Sequence, residues 1–228
     1  ETQRIFTCSF CRVKLCLGSR GPLECCIPAP PESGPDISYV PYWRLKGMAF
    51  SVTAGAIRSG AIDISHIALD APTLPWSLGI QTQLAHVRFL EPGVAGTFLA
   101  PALSVEQALA GCEKNMKQLG IPPWRERALH RAWIGEQTSL IYYPLVRRDG
   151  RMADALRDRD YEPVADWEAR GAAVRKPEMA VRFYAATCPD CGRDLDGEGD
   201  SLVLTCANCA RAWGREPEGL EEMPYVVI

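Results

Sequence analysis

The sequence predicts an α+β fold built on a mostly antiparallel sheet with one or two helices. Three observations predict it. Strand-type patterns outnumber helical ones, they do not alternate regularly with helices, and one fully signalled helix stands in the middle of the 228 residues. A chain of this length buries a real core and fits one or two domains. With 47% hydrophobic and 23% charged residues, the composition is that of a globular protein and excludes collagen, coiled coil and extended disorder.

Element by element, "RVKLCL" from Arg12 to Leu17 alternates Val13, Leu15 and Leu17 against Arg12, Lys14 and Cys16, the period of a half-buried strand. "GSRGP" turns the chain toward "LECCI", read as the partner strand, and "PAPPESGP" is a stiff linker. "YVPYWRLKGMAFSV" is extended, and "AIDISHIALD" places Ile62, Ile64, His66 and Ala68 on one face. "LAHVRFL" from Leu84 to Leu90 is a further strand. Ser104 and Gln107 then form a capping box ahead of an apolar stripe of Val105, Ala108, Leu109, Cys112, Met116 and Leu119, with Gly120 and Pro122 as the stop. A second helix is predicted from Pro122–Pro123, carrying Trp124, Ala128, Leu129, Ala132 and Trp133. Asp149–Gly150 joins "TSLIYYPLVRR" to "RMADAL" as a hairpin, and "EMAVRFYAAT" is a last strand running into Cys188.

Charge and motif content weigh against several function classes. The formal net charge is −3, whereas a general nucleic-acid binder carries a basic surplus. Arg147, Arg148, Arg151, Arg157 and Arg159 are interleaved with Asp149, Asp154, Asp158 and Asp160, which describes an ion-paired surface more than a phosphate track. There is no P-loop, G-x-G-x-x-G, G-x-S-x-G or H-E-x-x-H. His66, His86 and His130 have no Cys partners at ligand spacing, and Ser65 beside His66 would face the other way on a strand. Cys112 falls inside the helical apolar stripe, where a thiol is inert. The chain thus reads as non-catalytic. The longest low-charge stretch, Gly47 to Ile57, is far shorter than the roughly 20 residues of a membrane span. The chain opens at Glu1 with neither Met nor a signal peptide, as a processed, trimmed or excised chain would.

The ten cysteines carry the chemistry. Cys8, Cys11, Cys16, Cys25 and Cys26 crowd one end and Cys188, Cys191, Cys206 and Cys209 the other, with Cys112 between. The tail spacing is Cys-x2-Cys-x14-Cys-x2-Cys. Each Cys-x2-Cys turn sets two thiolates at a distance that suits one tetrahedral ion, and the hairpin between them brings the turns together. Pro189 and Gly192 suit the tight turn, and Trp213 would cover one side of the site. This segment resembles a zinc ribbon over about 40 residues, with Cys188, Cys191, Cys206 and Cys209 at the ligand positions. The resemblance implies a bound zinc ion and a β-hairpin module, and no particular activity. Rubredoxin-type iron sites use similar pairs but normally place Gly after both, whereas Ala210 follows Cys209 here; zinc is favoured.

The head offers an irregular counterpart. Cys8-x2-Cys11 is a good first turn, but Cys25 and Cys26 are adjacent, and Ala29 stands where a last ligand is needed. The second metal set is therefore Cys8, Cys11, Cys25 and Cys26, with Cys16 as a substitute; an iron–sulfur cluster and a decayed ribbon with buried thiols are the alternatives. The expected organisation is a ribbon-like segment at 1–30, an α+β core at 36–180 and a zinc ribbon at 181–228. One or two structural zinc ions, a cytoplasmic setting and a role as a macromolecular adaptor or assembly subunit binding another protein follow as the leading expectation. Two alternatives stand beside it. One is nucleic-acid binding through the head and the aromatic and basic residues Tyr39, Tyr42, Trp43, Arg44 and Lys46. The other is a redox-complex subunit with iron at the head cysteines.

Overall fold

The structure is a computed structural model that describes residues 4–19, 21–79, 86–119, 128–169, 171–178 and 181–225. The chain divides into two units, one of Glu1–Gly21 with Ala180–Ile228 and one of Pro22–Met179. The α+β expectation holds, with a sheet that is larger and more mixed than a mostly antiparallel one. Head and tail, expected as separate segments, belong to one unit, and the boundary at residue 22 separates Cys8, Cys11 and Cys16 from Cys25 and Cys26.

The strands run in order as β1 (Ile5–Thr7), β2 (Lys14–Ser19), β3 (Leu23–Cys26), β4 (Ile37–Val52), β5 (Ile57–Ile67), β6 (Arg88–Phe89) and β7 (Thr97–Leu99), followed by helix α1 (Val105–Gln118). After it come β8 (His130–Arg148), β9 (Arg151–Asp154), β10 (Asp160–Pro163), helix α2 (Val164–Ala169), β11 (Val174–Arg175), β12 (Val181–Ala185), β13 (Val203–Cys206), β14 (Arg211–Glu216) and β15 (Gly219–Met223).

In the larger unit, β4 and β8 are antiparallel along almost their whole length and form the spine of a sheet that has nine strands among the described residues. Each long strand has different neighbours along its other edge. β4 meets β7 in parallel at Ser38–Tyr39 and then β5 antiparallel from Tyr42 to Val52. β8 meets β3 in parallel at Ser139–Tyr142 and then β9 antiparallel through the Asp149–Gly150 turn, where φ is 47° and 74°. Both faces of the spine are covered. Val40, Tyr42, Ile141, Tyr143 and Leu145 pack on one side with Met152 and Trp167; Tyr39, Trp43, Leu140 and Tyr142 pack on the other with Phe98 and Ala108. That double cover is why "YVPYW" reads as a continuous apolar run rather than an alternating one.

Three sequence expectations give way here. "LECCI" is not the partner of "RVKLCL": β3 lies between β6 and β8, and Cys25 and Cys26 are both buried there. Of the second helix, 120–127 lies outside the described residues, and Ala132 and Trp133 belong to β8, opposite Phe50 and Ala49. A pattern of apolar residues at helical spacing has yielded to pairing with a long strand, a non-local interaction that outweighs local propensity. The ladder absorbs a bulge at this point, since Lys46 faces Gln137 and Gly47 faces Gly135. A Cβ on Gly47 would collide with the Ile134 carbonyl, so only glycine lets the strands close around the bulge. Of "LAHVRFL", residues 84 and 85 lie outside the described residues, and the strand is confined to Arg88–Phe89.

The capped helix forms as expected. The Ser104 hydroxyl accepts the Gln107 N–H, and the Gln107 side chain accepts the Ser104 N–H in return. Ala108 and Cys112 are buried beneath it, whereas Leu119, the last of the predicted stripe, is 63% exposed. Burial pushes the Cys112 thiol up to about 12, as suits an inert core residue. Ser104→Ala should cost about 1 kcal/mol of stability, the usual worth of an N-cap, read as a lower urea midpoint at unchanged slope.

The smaller unit is built from both ends of the chain. β2 is the middle strand of β1-β2-β12, so that Cys16 faces Ile5 on one side and Tyr184 on the other. β13, β14 and β15 form a second antiparallel sheet. The amides of Arg4 and Ile5 donate to the Gly199 carbonyl, and Ala186 donates to Lys14, which ties the head hairpin to the tail. The alternation in "RVKLCL" holds only in part: Leu17, on the expected apolar side, is buried at 2%, but so is Cys16 on the polar side. Cys16 is fully buried with Ile5, Leu195, Leu204 and Trp213, while Val13 is 39% exposed. The pattern misled at Val13 and Cys16, because the small thiol, not the larger Val13, occupies the core beside Leu17.

Candidate metal centre

Two tight turns make up the centre. In the first, after β12, the Cys188 N–H donates to the Arg193 carbonyl at 2.7 Å and the Gly192 N–H returns to the Cys188 carbonyl at 2.8 Å. In the second, between β13 and β14, the Ala210 N–H reaches the Cys206 carbonyl at 2.8 Å, and the Cys209 N–H points at Cys206 Sγ at 3.4 Å. Both turns need a left-handed residue after the second cysteine: Gly192 has φ 72° and Ala210 has φ 53°. Glycine takes this conformation freely, and alanine takes it at some cost in strain.

The stretch between the turns registers them against each other. Thr187 bridges Asp194, and Asp196 exchanges both backbone hydrogen bonds with Thr205 on β13. All four sulfurs thereby lie within 4.8 Å of one another, with Cys191 Sγ 3.6 Å from Cys206 Sγ. Among the described residues this is the one group of His, Cys, Asp or Glu side chains gathered in that manner. Cys188 and Cys206 are each 1% exposed, and Cys191 and Cys209 lie nearer the surface. The Arg193 amide, hydrogen-bonded to Cys191, holds that thiol below its ordinary value; the neighbouring thiols hold Cys209 above its own. Backbone amides aimed at sulfur are the donors that a metal-bound thiolate uses.

Trp213 takes the covering position expected of it. It is 5% exposed, pairs with Leu204 across β13 and β14, and packs in the same cluster as Cys188 and Cys206. The sequence did not indicate that Ile5 and Cys16 from the head complete this cluster. Nor did it indicate the Lys14 ammonium, which donates to the Leu195 carbonyl at 3.3 Å. Nothing local to residues 4–19 signals a partner 181 positions away. Arg211 joins Asp190 of the first turn to Glu222 of β15. These exposed pairs orient the loops more than they stabilise them.

The other candidate residues are not gathered into such a group. Cys8 and Cys11 lie in the turn between β1 and β2, Cys16 in the core of the same unit, and Cys25 and Cys26 side by side in β3 of the other. The aromatic and basic strand proposed for nucleic acid is interior. Tyr39 and Tyr42 are 2% exposed and Trp43 8%; Tyr39 stacks on Phe98 at 4.4 Å, and the buried Arg44 makes a two-pronged pair with Asp63 at 2.7 Å. Rings committed to a core have no face left for bases. His66 is buried with Nδ1 2.8 Å from the Ile67 carbonyl, and His86 and His130 are exposed and isolated from the cysteines. No helix among the described residues is long and apolar enough to cross a membrane. No family model, curated protein or solved structure matches the chain, so any functional reading rests on the four-thiol centre and the core that encloses it.

Proposed function

We propose that Cys188, Cys191, Cys206 and Cys209 bind one zinc ion in a closed site of zinc-ribbon type, and that the protein is a non-catalytic adaptor or assembly subunit whose partner is another protein. The observation that carries the metal is the convergence of four sulfurs from two turns with amides directed at them. Four thiolates fill a tetrahedral shell and leave no position for a substrate, so the ion's work is structural. Ala210 in place of a second glycine favours zinc over a rubredoxin-type iron. A reducing compartment such as the cytoplasm keeps these thiols available to metal.

A protein partner is supported by the apolar groups that the smaller unit leaves in water. Phe10 is 96% exposed, Leu202 74%, Tyr225 53% and Phe183 48%, side chains that contact with a partner would remove from water. Elemental analysis of anaerobically purified protein, with a visible spectrum of the same sample, tests the metal. Zinc without colour is expected; iron with visible absorbance would overturn the reading in favour of electron transfer.

A further inference from the structure

The two turns of the metal centre have a third counterpart. Between β1 and β2 the Cys8 N–H donates to the Val13 carbonyl at 2.9 Å, and the Arg12 N–H returns to the Cys8 carbonyl at 2.9 Å. The Cys11 N–H points at Cys8 Sγ at 3.5 Å, as Cys209 does at Cys206. Arg12, the residue after the second cysteine, has φ 62°, in line with 72° at Gly192 and 53° at Ala210. For an L-residue this left-handed conformation costs roughly 1–2 kcal/mol, a strain that an ordinary hairpin would avoid with glycine or asparagine. Two of the three turns bring four thiols together. The third presents two thiols in the same local geometry, with Cys8 half-buried and Cys11 exposed.

The other cysteines of the head do not complete it. Cys16 is wholly buried in the core of its unit, on the face shared with Ile5 and Cys188. Cys25 and Cys26 are consecutive on a strand laddered on both edges, Cys25 opposite Phe89 and Ile141 and Cys26 opposite Arg88 and Tyr142. Consecutive residues of a regular strand point to opposite faces, so the pair cannot serve one ion.

We propose that the Cys8–Cys11 turn is half of a tetrahedral zinc–thiolate site, and that a second copy of this chain supplies the other half through its own Cys8 and Cys11. The inference rests on the reading of the protein as an assembly subunit with structural zinc, and it names the partner. Two thiolates from each copy make the closed four-sulfur shell that zinc prefers, and the arrangement is self-complementary, as a two-fold interface requires. Charge also balances: four thiolates around Zn²⁺ leave two negative charges, and each copy brings one Arg12. Phe10, between the two ligands, and Val13, just after them, are the side chains such a contact would remove from water. Binding releases the thiol protons to solvent and changes no oxidation state.

The test is sedimentation of the full chain with zinc present, combined with zinc counted per chain. A dimer with three zinc ions per two chains is expected. Cys8→Ser with Cys11→Ser should give a monomer that keeps one zinc and an unchanged circular dichroism spectrum. A wild-type monomer would overturn the proposal, whether it binds one zinc or two; two would mean that the chain supplies its own ligands. A dimer that persists in the double variant would overturn it as well, since another surface would then make the contact. Should the double variant fail to fold, chelator titration of the wild type gives the same answer: the first zinc lost should be the shared one, and the dimer should dissociate with it. A zinc-dependent dimer carrying one ion per two chains would uphold the shared site while refuting the tail site, so the two readings fail separately.

Discussion

Replacing Cys206 with serine is expected to abolish metal binding at the tail and to unfold the whole smaller unit, β1 and β2 included. Cys206 is 1% exposed, lies 3.6 Å from Cys191 Sγ and accepts the Cys209 N–H. A serine hydroxyl there is a poor zinc ligand and leaves three thiols, from buried Cys188 to exposed Cys191, without a common partner. Structural zinc contributes about 10–16 kcal/mol of apparent binding free energy in small metal modules, as much as or more than the roughly 5–15 kcal/mol of a typical domain's stability. The small sheet β13-β14-β15 and the cluster of Ile5, Cys16, Leu195, Leu204 and Trp213 are too modest to offset such a loss. From the sequence, the affected segment is at least the last 40 residues, with no sign of how far it reaches beyond them. The pairing of β2 with β12 from Leu15–Ala185 to Ser19–Val181 extends it to the head. Amide hydrogen exchange should therefore show protection lost in β1, β2 and β12–β15 together and retained in β4 and β8. Unchanged zinc content and unchanged melting would refute the site; lost zinc with β2 still protected would refute the coupling of head to tail.

What was legible in the sequence was whatever is determined within a few residues. The capping box at Ser104 and Gln107, the Asp149–Gly150 turn and the cluster of four tail cysteines all depend on spacing within one turn or hairpin, and the structure contains each of them. What was not legible depends on partners distant in sequence. Ala132 and Trp133 suggest a helix until β4 is known to run beside them, and Cys25–Cys26 suggests ligands until β6 and β8 are seen on either edge. Cys16 sits on the polar side of its own alternating pattern and is nonetheless a core residue, because the tail arrives to cover it. The site was half legible for the same reason. Its four cysteines are local, whereas the head strands that close its core are remote.

Trp43→Ala is expected to destabilise the larger unit by about 3–5 kcal/mol, the range for truncating a buried large aromatic. The indole packs with Ala68, Ala108 and Leu140, and its Nε1–H donates to the Leu103 carbonyl at 2.7 Å, just before the cap of α1. Removing the ring leaves a cavity between sheet and helix and takes away the hydrogen bond that anchors the helix entry. Trp43→Phe separates the two losses. It retains most of the bulk and deletes only the donor, a cost of about 1 kcal/mol for a bond of this type. Urea denaturation should rank wild type above Trp43→Phe and Trp43→Phe above Trp43→Ala, with zinc content equal in all three because the tail cluster contains no residue of the larger unit. This ranking bears directly on the nucleic-acid alternative. If Trp43 served as a stacking platform, Trp43→Ala would weaken single-strand binding and leave stability almost untouched, since an exposed ring contributes little to folding. A folded, undiminished Trp43→Ala protein would thus overturn the core assignment of the aromatic strand and make that strand a candidate binding surface again.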